Sequence, residues 1–349
     1  MRLIVGLAGL SLAIALIAVV FLVSDLRSVE TRLGAAGRPL LLVIAALAII
    51  DHGIRFARWH LLMQGVAGCR LSPWRGLAGY LAGGTMVFTP ARIGEVGKSA
   101  YARRLLDVPV AGTVPILIAE RFADVLIMAG LAAIGLLIAG GIAANRTPFV
   151  AVLAVALAAG IALLALRRFP ERLWKRWFSR YAGRHMATFN NSSRTLLKPA
   201  ALAINGGLGI VAWGIEVAIY ALAIESVGES ASLPLVIAAL AVFPLASLIG
   251  ALSLLPGGLG ATEGSLAALG AGIAGMTLEG SLAAGLIARS AILLTVVATG
   301  LPAVAIAILL TQRRRSVHPT AGGSQLARSV NSSRRDHPAG DPSGKRPDA

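Results

Sequence analysis

The chain has 349 residues, 56% of them hydrophobic and 14% charged, with a mean hydropathy of +0.79 and a formal net charge of +16. That composition excludes an ordinary soluble globular domain and points to a chain built for lipid. The basic excess does not mark a nucleic-acid binder, because thirteen of the sixteen net charges fall in two segments, 167–198 and 311–349, that flank apolar runs. Such clusters are what the positive-inside bias produces, and they also favour anionic lipid heads.

Taken in order, Leu3 to Ser24 forms the first uncharged run, long for a signal peptide and without a small-residue cleavage pattern before Asp25. It reads as a retained first helix. A second helix carries Asp51, Arg55 and Arg58 at i, i+4 and i+7, on one face. Asp51 and Arg55 can pair there, and Arg58 is expected to snorkel toward the inner surface near Trp59 and Arg70. Between Gly76 and Pro90 the apolar stretch is too short to cross a bilayer and return, and it ends in Phe88-Thr89-Pro90-Ala91-Arg92-Ile93-Gly94-Glu95. A re-entrant dip fits it. The fourth apolar helix, from about 110 to 140, opens with Glu120, Arg121 and Asp124.

Phe149 to Leu166 is another uncharged run, followed by the basic segment 167–198. Ala200 to Ile224 then holds an isolated Glu216. The loop from Glu225 to Leu233 carries two glutamates and no basic residue, so it is expected outside. Residues 235–278 must then begin and end outside, as two full spans or as a hairpin bent at Pro256-Gly257-Gly258-Leu259-Gly260-Ala261-Thr262-Glu263. A helix from about 282 to 310 carries Arg289, the sole Lys or Arg between Lys198 and Arg313.

Both interruptions place Pro, Gly and a carboxylate where continuous helix is expected. In each an arginine follows 26 residues after the carboxylate, Glu95 to Arg121 and Glu263 to Arg289. The charge topology makes the first dip enter from inside and the second from outside. The expected fold is therefore an all-α polytopic membrane bundle, an inverted repeat with two broken-helix hairpins. Its membrane domain is 1–312, with halves of roughly 1–140 and 141–312, and a basic, disordered cytoplasmic tail covers 313–349. Both termini are expected in the cytoplasm of a cell-membrane protein.

A charge at the centre of a spanning helix costs about 2.5–3.5 kcal/mol on insertion scales, so each such residue needs a reason. Arg121 with Glu95, and Arg289 with Glu263 or Glu216, are sensible partners. The plain alternative is that these pairs only lock helices together. The glycine-rich turn at Pro256 to Gly260 ends one half-helix and frees the N-terminus of the next, a ready place for an anion such as phosphate. Gly79 to Gly83 and Gly260 to Gly264 have the GxxxG spacing that lets helix backbones approach. Cys69 is alone and the five His lack ligand spacing, so no metal, cofactor or catalytic residue is expected.

Thr89-Pro90-x-Arg92-x-Gly94-Glu95-x-x-Lys98, Glu120-Arg121-x-x-Asp124 and Pro256-Gly257-Gly258-x-Gly260-x-x-Glu263 together resemble the transmembrane domain of lysylphosphatidylglycerol synthases. The same domain occurs alone in many flippase-like membrane proteins. The resemblance covers roughly residues 1–312. It implies an architecture that moves lipid between leaflets, without the soluble synthase domain, for which the residues after Leu310 are expected to be too few. An expected substrate is an anionic or aminoacylated lipid, or a polyprenyl-phosphate carrier. Arg92, Lys98, Arg121 and Arg289 would receive an anionic head. Glu95, Asp124 and Glu263 would hold those arginines or contact a cationic head. Glu120, Pro256, Gly257, Gly258 and Gly260 complete the candidate site, with Asp51, Arg55 and Glu216 beside it. The competing readings are an enzyme acting on lipid heads, with Glu120 and Asp124 as paired carboxylates, and a non-transporting assembly partner.

Overall fold

The computed structural model describes residues 37–85, 95–139, 182–228, 232–253 and 255–317. The expected first helix at 3–24, the run 149–166, most of the first break including Pro90 and Arg92, and the tail beyond 317 lie outside the described residues. Contacts group residues 1–307 as one compact unit and 308–349 as a second.

Among the described residues the protein is all-α, with nine helices and no strand. They are α1 (Gly37–Ala67), α2 (Pro73–Gly84), α3 (Val96–Leu105), α4 (Val110–Ile138), α5 (Ala182–Leu196), α6 (Pro199–Ser226), α7 (Leu233–Leu252), α8 (Ala261–Ala274) and α9 (Leu278–Val317). Five are long and apolar enough to cross a membrane, namely α1, α4, α6, α7 and α9. At 1.5 Å per residue, α2, α3 and α8 reach only about 15–21 Å, short of a hydrocarbon core of roughly 30 Å. The chain is a multi-pass membrane protein. Its apolar side chains point outward as well as inward: Leu42, Ile50, Ile134, Leu137 and Ile210 are exposed, whereas Asp51, Arg58, Glu95, Lys98, Glu120 and Asp124 are buried.

The element order shows a repeat. A long helix, a broken hairpin and another long helix occur as α1, α2–α3, α4 and again as α6, α7–α8, α9, with α5 between. The leading helices of the two sets, α1 and α6, pack together in opposite senses. Arg55 of α1 meets Trp213 and Glu216, while Arg58, one turn later, lies against Gly209, earlier in α6. Opposite senses of equivalent helices are what an inverted repeat entails.

Small residues set the helix spacing, as expected where lipid supplies no hydrophobic drive between helices. Ala132, Ala212, Ala223, Ala239, Ala246, Ala284 and Ala288 are all fully buried. A Cβ on Gly135 of α4 would sit 2.5 Å from the backbone nitrogen of Ala241 in α7, so that crossing needs glycine. Larger side chains fill two clusters. One gathers Ile44, Met128, Tyr220, Phe243 and Leu266, and the other Trp59, Met63, Tyr80, Ile116 and Leu196.

The two GxxxG pairs have different fates. In the first hairpin, a Cβ on Gly79 would touch Tyr101, and one on Gly83 would lie 2.6 Å from the backbone nitrogen of Lys98. That pair closes α2 onto α3. In the second, a Cβ on Gly260 or Gly264 would meet nothing within 4 Å among the described residues, so the spacing marks no close helix approach there. The close approach of α7 and α8 is made by Gly250 and Thr262 instead.

Residues 235–278, expected as two full spans or a hairpin bent at Pro256, form two helices of unequal length. α7 has 20 residues, enough to cross, and α8 has only 14. Between them Pro256–Gly258 forms a single 3-10 turn, with Gly257, Gly258 and Gly260 at φ of 62°, 70° and 81°. Side chains bearing a Cβ avoid that region, which is why glycine recurs at the turn. α9 runs to Val317, so helix continues five residues past the boundary expected at 312.

Candidate functional site

Four ion-pair groups tie the helices together where the breaks meet them. On α1, the Arg55 guanidinium donates to Asp51 at 2.9 Å and reaches across to Glu216 of α6 at 2.6 Å. Arg58 does not snorkel. Its side chain is buried, donates to Asp124 at 2.8 Å, and lies 3.5 Å from the Glu120 carboxylate. The reason is its partners: the Asp124 and Glu120 carboxylates of α4 meet it inside the bundle and compensate its charge there. The i, i+4 spacing of Glu120 and Asp124 brings both carboxylates onto the face that meets it.

The two 26-residue spacings are both ion pairs. Arg121 of α4 donates to Glu95, at the start of α3, at 2.6 Å, and lies 3.5 Å from Asp124. Lys98 sits 3.8 Å from Glu95, with its ammonium 4.4 Å from the centre of the Tyr80 ring. Arg289 of α9 donates to Glu263 at 3.1 Å and to the Gly257 carbonyl at 2.7 Å. Of the two partners expected for Arg289, Glu263 takes it and Glu216 belongs to Arg55.

The anion site expected at the N-terminus of α8 is already filled. The Glu263 carboxylate folds back and accepts the Gly260 N–H at 2.7 Å. The N–H groups of Gly258 and Leu259 are spent inside the turn, on the Leu255 and Pro256 carbonyls. The protein's own carboxylate therefore occupies the place an incoming anion would take.

These groups surround one cavity of about 240 Å³. Asp51, Arg55, Glu95, Lys98, Arg121, Asp124, Glu216, Gly257, Gly258 and Arg289 all line it, so residues beside both breaks share a single opening. Glu120, Pro256, Gly260 and Glu263 are not at its surface. Glu120 backs Arg58, and Glu263 backs Arg289. Arg92 lies outside the described residues. Apolar residues line it as well, namely Val125, Met128, Leu255, Ile292, Leu293 and Val296.

Several lining residues carry no sequence signal of their own. Trp213 donates its indole N–H to Asp124 at 3.3 Å and stacks under Arg55, with the guanidinium carbon 5.2 Å from the ring centre. Its position three residues before Glu216, on the same face of α6, was the available clue. Tyr80 and Thr262 line the cavity from the middle of one GxxxG and from beside Glu263. Uncharged residues add nothing to a charge pattern. Among the described residues no group of His, Cys, Asp or Glu is arranged to hold a metal ion.

With this geometry in view, the family description "Lysylphosphatidylglycerol synthase TM region" matches residues 7–300. The chain belongs to that family. The match covers every described helix except the end of α9, and both hairpins fall within it. No curated protein and no solved structure matches the chain. The lysylphosphatidylglycerol synthase membrane region is thus present here as a bundle in which eight charged residues line one cavity.

Proposed function

We propose that the protein moves a lipid or lipid-linked molecule between the leaflets of the cell membrane, its head passing through the charged cavity while its tails stay in the bilayer. The observation that carries this reading is the shared cavity. Eight charged side chains from five helices and the residue before α3 line it, together with apolar residues of α4, α9 and the second break. Intramembrane ionisable residues are costly, and their concentration around a cavity is the usual mark of a substrate path. Broken helices at a repeat interface provide the backbone freedom such a path requires. The family name supports lipid as the partner in general, with anionic, aminoacylated and polyprenyl-phosphate lipids as the substrates to try.

The same geometry favours transport over catalysis. Asp51, Glu95, Asp124 and Glu216, the carboxylates at the cavity surface, each lie against a basic side chain. Carboxylates held in this way are suited to fixing arginines in place.

Reconstitution provides the test. Purified protein in phosphatidylcholine liposomes is expected to accelerate dithionite quenching of fluorescent lipids that begin in the inner leaflet. Arg55→Gln, which cuts the link between the two leading helices, is expected to lose most of that acceleration. No acceleration by the wild-type protein with any of the three lipid classes would refute the proposal.

A further inference from the structure

The two symmetry-related arginines differ in what they have left to offer. The Arg289 side chain is only 10% exposed, and two of its nitrogens donate to Glu263 and to the carbonyl of the positive-φ Gly257. Removing it would strand Glu263, which has no other cation among the described residues, and would release the turn. Arg121, which lines the cavity, has a side chain 42% exposed, whereas those of Asp51, Glu95, Asp124 and Glu216 are between 3% and 10% exposed. Arg55 and Lys98 show 18% and 8%. The charge that the cavity presents to a ligand is therefore positive and centred on Arg121, even though the walls hold as many carboxylates as cations.

Arg121 is also the member whose partners are covered without it. Glu95 keeps Lys98 at 3.8 Å, and Asp124 keeps Arg58 at 2.8 Å and the Trp213 N–H at 3.3 Å. A guanidinium has five N–H donors in a rigid fork that suits phosphate oxygens. Here two of its nitrogens face Glu95 and Asp124, which leaves donors for a ligand.

We propose that the repeat has divided the work of its two arginines: Arg121 receives the phosphate of an anionic amphiphile, and Arg289 is a positioning residue that holds the second break in shape. This rests on the transport reading for its meaning, but it is a statement about binding and is tested by binding. The phosphate could belong to a phospholipid or to a polyprenyl phosphate.

The full chain in detergent is titrated with phosphatidylglycerol, a polyprenyl phosphate or phosphatidylcholine, and thermal unfolding is followed for wild type, Arg121→Gln, Arg121→Lys and Arg289→Gln. Wild type is expected to be stabilised by at least one of the two anionic lipids and not by phosphatidylcholine. The responding lipid tells which source supplies the phosphate. Arg121→Gln should unfold within about 2 °C of wild type without lipid, and bind the anionic lipid about tenfold or more weakly, the loss of one charge-assisted contact. Arg121→Lys should recover part of that affinity. Arg289→Gln should unfold several degrees lower while the protein that remains folded still responds to the anionic lipid. Full response in Arg121→Gln, or loss of response in Arg289→Gln alone, would overturn the division of roles. Wild type indifferent to both anionic lipids would overturn it as well. A positive binding result with no leaflet exchange in liposomes would refute the transport reading and leave the assignment of Arg121 standing.

Discussion

Arg58→Met isolates the energetic role of the buried charges. The Arg58 and Asp124 side chains are each 3% exposed and that of Glu120 is 6%, so water does not replace a lost partner. Deleting one member of a buried ion pair costs about 3–5 kcal/mol, because the other charge is left uncompensated. Asp124 is cushioned by Trp213 and Arg121, but the only cation paired with Glu120 among the described residues is Arg58, at 3.5 Å. The loss should therefore sit toward the lower part of that range. At about 1.4 °C per kcal/mol, from an unfolding entropy of about 2.1 cal/mol/K for each of 349 residues, the unfolding midpoint is expected to fall by about 4–5 °C. Thermal unfolding in detergent, followed by the loss of the monodisperse chromatographic peak, measures it. The triple change Arg58→Met, Glu120→Gln, Asp124→Asn strands no charge, and should recover more than half of the fall. A single variant within about 1 kcal/mol of wild type, or a triple variant worse than the single one, would refute the reasoning.

Three further outcomes are expected. Gly135→Val places a side chain against the α7 backbone, at a crossing where even a Cβ would be 2.5 Å from Ala241 N, and should lower the unfolding midpoint by several degrees. Gly257→Ala forces a Cβ into φ of 62° at the second break, a strain of about 1–2 kcal/mol, read in the same unfolding assay. Trp213→Phe removes the indole N–H from Asp124 while keeping a ring beneath Arg55; it should cost about 1 kcal/mol and leave lipid binding nearly unchanged, checked by the lipid titration.

Features that depend on spacing along one chain were readable in advance. The equal intervals from Glu95 to Arg121 and from Glu263 to Arg289 end in ion pairs because each carboxylate begins a short helix and each arginine lies in the long helix that follows. Asp51 and Arg55 pair because one helical turn separates them. Features that depend on how helices cross were not readable. Whether Glu216 goes to Arg289 or Arg55, and whether Arg58 meets water or Asp124, is fixed by the antiparallel seat of α1 on α6 and α4, which no local pattern encodes. The GxxxG spacing identified the seam of the first hairpin, at Gly83, and misled at Gly264, where no neighbour approaches among the described residues. The supposed anion site at α8 failed for a reason visible only in three dimensions, since a glutamate three residues after a helix start can fold back onto it.

The central claim is that the two halves enclose one hydrophilic cavity. In a Cys69→Ser background, single cysteines at Val125 and Ser247 place a thiol on its walls from the first and second halves, and one at Leu42 places a thiol on the exposed apolar face of α1. Reaction with a small, charged methanethiosulfonate reagent in membranes measures which of these positions meets water. The account predicts that both cavity cysteines react well ahead of Leu42→Cys, and that an amphiphile bound at Arg121 slows both together. Cavity cysteines that react no faster than the Leu42 control, or only one of the two reacting, would contradict a shared opening.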